Sequence, residues 1–186
     1  MTSSSSNQNR IDNNVISLTE LMQPGNTAVV TGASSGIGKS ACLKFAAYGM
    51  NVWMIDWDAT ELVLAQTVVQ EQQQQQQQYT TTISTTNDNI QPFICAEVVD
   101  VSDFPAMSRL AQQVFDSTGK CHIVMNNAGI GIGGDSMTDI KKLHKVMDVN
   151  MYGPIHGCLA FVPLIDRKST RLNSSHSIAS RMPSSA

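Results

Sequence analysis

Short apolar runs separated by longer amphipathic stretches dominate the chain. Thr27-Ala28-Val29-Val30, Asn51 to Ile55, Pro92 to Val99 and His122 to Met125 are near-continuous apolar segments of strand length. Such runs read as strands buried on both faces rather than one. Between them lie helical stretches at Gly36–Tyr48, from Asp58 to about Glu71, from Ser102 to about Phe115, and from about Asp139 toward Phe161. Asp58 with Glu61 three residues later is a capping box for the second of these, and Ser102 is placed to cap the third. Strands alternating with helices of this length predict an α/β fold, a doubly wound parallel sheet of about four strands covered on both faces.

The pattern fails in three places. Residues 1–14 are polar and are expected to be disordered; Val15–Met22 is expected as a short leading turn or helix, so that 1–23 forms an N-terminal segment ahead of Pro24-Gly25. Gln72 to Gln78 is an unbroken glutamine run followed by a Thr/Asn-rich stretch to Asn89. Residues that build no core are expected to form a solvated insertion at 72–89, with a glutamine interaction surface as the other reading. After Ile165 the apolar period stops: Asp166 to Ala186 holds seven serines and almost no apolar repeat, where a fifth strand is expected. The string from Arg167 to His176 has the look of translated adapter sequence, so the domain is assigned to 24–165 and 166–186 to a disordered, non-native tail, with a natural disordered C-terminus as the other reading.

Composition narrows the function. The chain has 186 residues, the length of one domain, and 41% hydrophobic residues with only 5% aromatic, so aliphatic side chains and methionine must build the core. A net charge of −3 excludes a nucleic-acid or anionic-membrane partner as an expectation, although Arg167, Lys168, Arg171 and Arg181 face only Asp166 in the tail. No apolar stretch is long enough for a membrane span, and no apolar signal core stands at the N-terminus. Cys42, Cys95, Cys121 and Cys158 lack C-x-x-C spacing and read as reduced core thiols of a cytoplasmic protein. His122, His144, His156 and His176 show no ligand spacing, so no metal is expected; His144 and His156 read as helix-face residues.

Chemistry concentrates at the strand ends. Thr31-Gly32-Ala33-Ser34-Ser35-Gly36-Ile37-Gly38 follows the first strand and opens the first long helix. Glycines there let backbone approach a diphosphate, and the helix start offers free N–H groups and the positive dipole end. Asp56 closes the second strand, where a carboxylate accepts hydrogen bonds from ribose hydroxyls and repels a 2′-phosphate. No basic residue occupies position 35 or 57, so NAD is expected over NADP. Asp100 and the backbone N–H of Val101 close the third strand and could take an adenine edge. Asn126-Asn127-Ala128-Gly129 closes the fourth: Ala128 and Gly129 leave room for the cofactor, and the Asn126 amide is placed to bridge strand ends. A purely structural turn is the competing reading of that segment.

In this order the T-G-A-S-S-G-I-G turn, Asp56, Asp100-Val101, the N-N-A-G motif and Asp148-Val149-Asn150-Met151-Tyr152-Gly153 resemble the short-chain dehydrogenase/reductase family over about residues 24–165. The resemblance implies a Rossmann-like fold, NAD(P)-dependent hydride transfer between alcohols and carbonyls, a small-molecule substrate and a homo-oligomeric parent protein. It also implies a role for Asn150 in holding a water of the proton relay. The family's Ser and Tyr-x-x-x-Lys have no counterpart: Tyr48, Tyr79 and Tyr152 are followed four residues on by Val52, Ile83 and His156. Free tyrosine, with a pKa near ~10, is a poor base at neutrality without such a lysine. The chain therefore reads as an inactive fragment of an oxidoreductase, poorly soluble or partly folded by itself. The alternative is a non-catalytic dinucleotide-binding module; a long-form epimerase or reductase is disfavoured by the glycine spacing.

Overall fold

The computed structural model describes residues 18–81, 92–131 and 139–174. After a single helical turn α1 (Leu18–Leu21), the elements alternate. They are β1 (Thr27–Thr31), α2 (Gly36–Ala47), β2 (Asn51–Asp56), α3 (Ala59–Thr81), β3 (Ile94–Val98), α4 (Phe104–Thr118) and β4 (Ile123–Met125). Then come α5 (Ile140–Met147), a π-helical turn at Asp148–Tyr152, and α6 (Gly153–Ser174). The four strands form one parallel sheet in the order β3-β2-β1-β4.

Both faces of the sheet are buried, which is why the strands read as continuous apolar runs. Ala28, Val30, Val52 and Met54 pack with Cys42 and Phe45 of α2 and Leu62, Ala65 and Val69 of α3. The alternate residues Val29, Trp53 and Ile55 pack on the other face with Met107, Leu110 and Val114 of α4 and Ala160 and Phe161 of α6. The period of two along each strand thus divides one hydrophobic run between two cores.

The order matters for the site. The chain moves outward from β1 through β2 to β3, then crosses back to place β4 on the other side of β1. The crossover directions reverse between β1 and β4, and a cleft opens there beyond the carboxyl ends of the strands. His122 fastens this junction: its backbone N–H donates to Thr27 O at 2.9 Å, and its Nδ1 accepts from Thr27 N–H at 3.0 Å.

Several expectations are corrected. The glutamine run is helical, since α3 continues past Glu71 to Thr81. Its early turns are anchored by Leu62, Ala65 and Val69, and glutamine propagates a helix well once one is nucleated. Residues 82–91 lie outside the described residues, as do 1–17. The cap of α4 is Asp103, whose carboxylate accepts from Ala106 N–H at 3.1 Å; Ser102 turns back instead to Asp100. Asp58 caps α3 as expected, accepting from Thr60 and Glu61 N–H groups at 3.0 and 3.1 Å. β3 starts at Ile94 and β4 at Ile123, each later than their apolar runs.

The long helix toward Phe161 is broken into three. Pro154 has no N–H and its ring crowds the carbonyl four residues back, that of Asn150. The backbone widens into a π turn immediately before it, where Gly153 N–H reaches Asp148 O. Beyond it α6 continues to Ser174, past the Ile165 boundary where the domain was expected to end; residues 175–186 lie outside the described residues. Cys42 and Cys121 are buried, but Cys158 is exposed on α6, so it is not a core thiol. Among the described residues no helix is long and apolar enough to cross a membrane.

Candidate cofactor cleft

Every element that ends at the switch point contributes to one cleft of about 790 Å³. From the glycine turn come Gly32, Ser34, Ser35, Gly36 and Ile37; from the ends of β2 and β3 come Asp56, Trp57, Val99, Asp100 and Val101. The segment after β4 adds Asn127, Ala128, Gly129, Ile130 and Gly131. The sequence-predicted residues other than Thr31, Gly38 and Asn150 all line it.

The turn is built from backbone that only glycine tolerates. Gly32 has φ +67°, and a Cβ there would stand 2.8 Å from the Ala128 Cα. A Cβ on Gly38 would strike the Gly32 carbonyl oxygen. These two glycines close the turn against β4 and seat the helix on the strand. Gly36 differs: it has φ +52°, yet a Cβ on it would meet nothing within 4 Å. It borders open cleft, the space that a diphosphate drawn up to bare backbone would need. Ser35 stands at the α2 N-cap without a side-chain cap hydrogen bond, so its side chain leaves the first N–H groups of α2 to other acceptors.

Thr31 and Asn127 clamp β1 to β4. The Thr31 hydroxyl accepts from the Asn127 and Ala128 N–H groups, each at 3.0 Å. The Asn127 amide donates to the carbonyls of Thr31 at 3.0 Å and Gly32 at 3.3 Å. The bridging asparagine is therefore Asn127 rather than Asn126. Asn126 donates to Cys158 Sγ at 3.8 Å, and its carbonyl oxygen is buried without a hydrogen-bond partner.

Asp56 is 6% exposed at the end of β2. Its Oδ2 accepts from Ser34 N–H at 3.0 Å and its Oδ1 from Asp58 N–H at 3.2 Å. Each carboxylate oxygen has two lone pairs, so one direction on each is left for a ligand. Asp100 Oδ1 accepts from both the N–H and the hydroxyl of Ser102, at 2.9 and 2.7 Å. Val101 is buried beside Gly153, and its carbonyl lies 2.9 Å from His156 Nδ1. Asn150 sits on the π turn: its Oδ1 accepts from Ile130 N–H at 2.8 Å and its Nδ2 donates to Ile130 O at 3.0 Å. It thereby fixes the strand-end segment against the next helix.

One bank of the cleft escaped the sequence reading. Lys142, Lys145, Val146 and Val149 line it from α5 and the π turn. Their spacing of three, one and three residues is the signal of a single helix face. Lys142 pairs with Asp139 at 3.9 Å, and Lys145 Nζ lies 5.6 Å from the centre of the Trp57 ring. Residues 132–138 lie outside the described residues. Among the described residues no three His, Cys, Asp or Glu side chains come together as metal ligands.

The family model for short chain dehydrogenases matches residues 26–186. The chain is 34% identical over 146 residues to 1-deoxy-11-beta-hydroxypentalenate dehydrogenase of Streptomyces avermitilis, covering 76% of this chain and 47% of that protein. A crystal structure of a short-chain dehydrogenase/reductase from Burkholderia phymatum in complex with NAD superposes with a TM-score of 0.62 at 27% identity, over 78% of this chain and 46% of the other. A metagenomic short-chain oxidoreductase in complex with NADP gives a TM-score of 0.62 at 23% identity, over 79% and 59%. The chain spans less than half the length of the curated relatives it matches.

Proposed function

The chain belongs to the short-chain dehydrogenase family, and from that premise we propose that it is the dinucleotide-binding part of an NAD-dependent oxidoreductase acting on an alcohol or carbonyl of a small molecule. The observation that carries the reading is the junction of the glycine turn with a buried carboxylate around one cleft. The Asp56 carboxylate is braced by Ser34 N–H from the turn itself, so the diphosphate site and the ribose site share one rigid frame.

In this reading the N–H groups of Gly36, Ile37 and Gly38 hold the diphosphate, and Asp56 takes the adenosine ribose hydroxyls. Asp100 and the Val101 N–H border the adenine, while Ala128 and Gly129 leave space for the rest of the cofactor. Asn150 is a positioning residue that acts through the Ile130 backbone. Bound NAD supplies the hydride acceptor or donor. Asp56 disfavours a 2′-phosphate by charge and by its low exposure, which supports NAD over NADP.

The second reading is a dinucleotide-binding module without catalysis. Both readings expect the chain to bind NAD. Calorimetric titration of NAD and NADP tests the shared part, with NAD expected at least about tenfold tighter, a difference of about 1.4 kcal/mol; tighter NADP would overturn the cofactor assignment. The readings part at the transcript. An independent read across codon 165 that continues into a Ser and a Tyr-x-x-x-Lys supports the oxidoreductase, whereas a genomic stop after codon 186 supports the binding module.

A further inference from the structure

Trp57 is the most exposed aromatic side chain among the described residues, at 66%, although Trp53 four residues earlier is 3% exposed. A large indole left open on the wall of a cleft marks a surface that a ligand covers. Two features place that ligand. Trp57 follows Asp56 and both line the same cleft, so a base on a ribose held at Asp56 lies near the indole. On the opposite bank Lys145 holds its ammonium 5.6 Å from the indole centre, within the range of a cation–π contact. Lys142, three residues earlier, is drawn to Asp139 instead. α5 buries none of its side chains, so packing against the core does not fix its distance from the β2 end.

We infer that Trp57 and Lys145 form a clasp across the adenosine end of the cleft, with one indole face held by the Lys145 ammonium and the other offered to adenine. The inference rests on the dinucleotide reading of the same cleft. An indole ring has two faces, and the ammonium occupies one of them. A planar base stacked on the other meets a ring already fixed in orientation, and its binding in turn ties α5 to the end of β2. The clasp is selective for adenosine-bearing ligands, because the nicotinamide half of a dinucleotide has no part in it.

Fluorescence titration of the full 186-residue chain tests this with ADP-ribose and, as a probe without adenine, nicotinamide mononucleotide. ADP-ribose is expected to quench the indole emission. By calorimetric titration Trp57→Ala is expected to weaken ADP-ribose about tenfold, with Trp57→Phe restoring most of the affinity. Lys145→Met is expected to weaken it a few-fold, and nicotinamide mononucleotide is expected to bind all four proteins alike. Both substituted side chains are exposed, and matching circular dichroism melts check that folding is unchanged. If ADP-ribose binds the wild type but Trp57→Ala or Lys145→Met binds it equally well, the clasp is overturned and the dinucleotide reading stands. If ADP-ribose does not bind the wild type, both fall.

Discussion

At the scale of single residues, the cleft depends on atoms with two duties. Asp56 braces the glycine turn through Ser34 N–H and the start of α3 through Asp58 N–H, and it also lines the cleft. Asp56→Asn keeps the shape but turns one oxygen into a donor, which then opposes one of these N–H groups. The expected result is about 1–3 kcal/mol lost from stability, read by a denaturant melt, together with at least about tenfold weaker NAD binding by calorimetry. His122 shows the same economy. Its Nδ1 must stay unprotonated to accept from Thr27 N–H, and burial, with Lys120 nearby, lowers its pKa below the usual 6.5. A lowered folded pKa means that its contribution is complete above pH 6.5 and fades as pH falls through the folded value. Melting temperature is expected to drop on acidification below pH 6.5, and less so in His122→Gln. The sequence made the place of Asp56 at the end of β2 legible, because the apolar run of that strand stops there. It made Asn126 and Asn127 indistinguishable, because which of two adjacent amides faces β1 is decided by the strand's pleat.

Among the elements, what was legible depended on whether local pattern or packing decides the outcome. All four strands and the helices between them followed from apolar periodicity. The extent of α3 did not, because glutamine gives no core signal while its helix propensity lets the helix run on past Glu71. The cap of α4 was shifted by one residue, since Ser102 and Asp103 are both good caps and only the hydrogen bonds of Asp100 decide between them. The break at the π turn has one local sequence signal, Pro154. The α5 bank of the cleft left no such signal, because lysines at helical spacing do not by themselves mark a ligand site. Burial pushes the thiols of Cys42 on α2 and Cys121 ahead of β4 up to about 12. A folded pKa raised from 9.0 gives stability that is intact below pH 9 and lost as pH climbs toward 12, by up to about 1.4 kcal/mol per unit for each thiol. At pH 8 an aromatic disulfide reagent is expected to label exposed Cys158 first, and Cys42 and Cys121 only on unfolding. Labelling of Cys42 at the rate of Cys158 would mean that α2 does not stay docked.

For the whole molecule, the described sheet ends at β3 on one side and at β4 on the other, and the two ends differ. The β3 side is flanked by α3, whose Gln66 amide donates to Ile94 O at 3.1 Å. The β4 side has a strand of three half-buried residues, followed by an asparagine whose buried carbonyl oxygen has no partner. Behind it α6 turns one face into the core through Ala160 and Phe161. Its other face carries Ile155, Leu159 and Val162 to solvent, at 40, 55 and 50% exposure. These three recur at i, i+4 and i+7, a stripe on one side of the helix. A strand edge with no further strand beside it among the described residues, next to an exposed apolar stripe, favours self-association. The 186-residue chain is therefore expected to bind a hydrophobic dye at neutral pH and to sediment as a mixture of species. Leu159→Lys with Val162→Glu should reduce both effects and leave the core untouched, because neither side chain belongs to it. Dye binding that persists unchanged in the double variant would place the sticky surface at the β4 edge instead. A cooperative melt of a monomer without dye binding would show that the β4 side is covered by this chain itself.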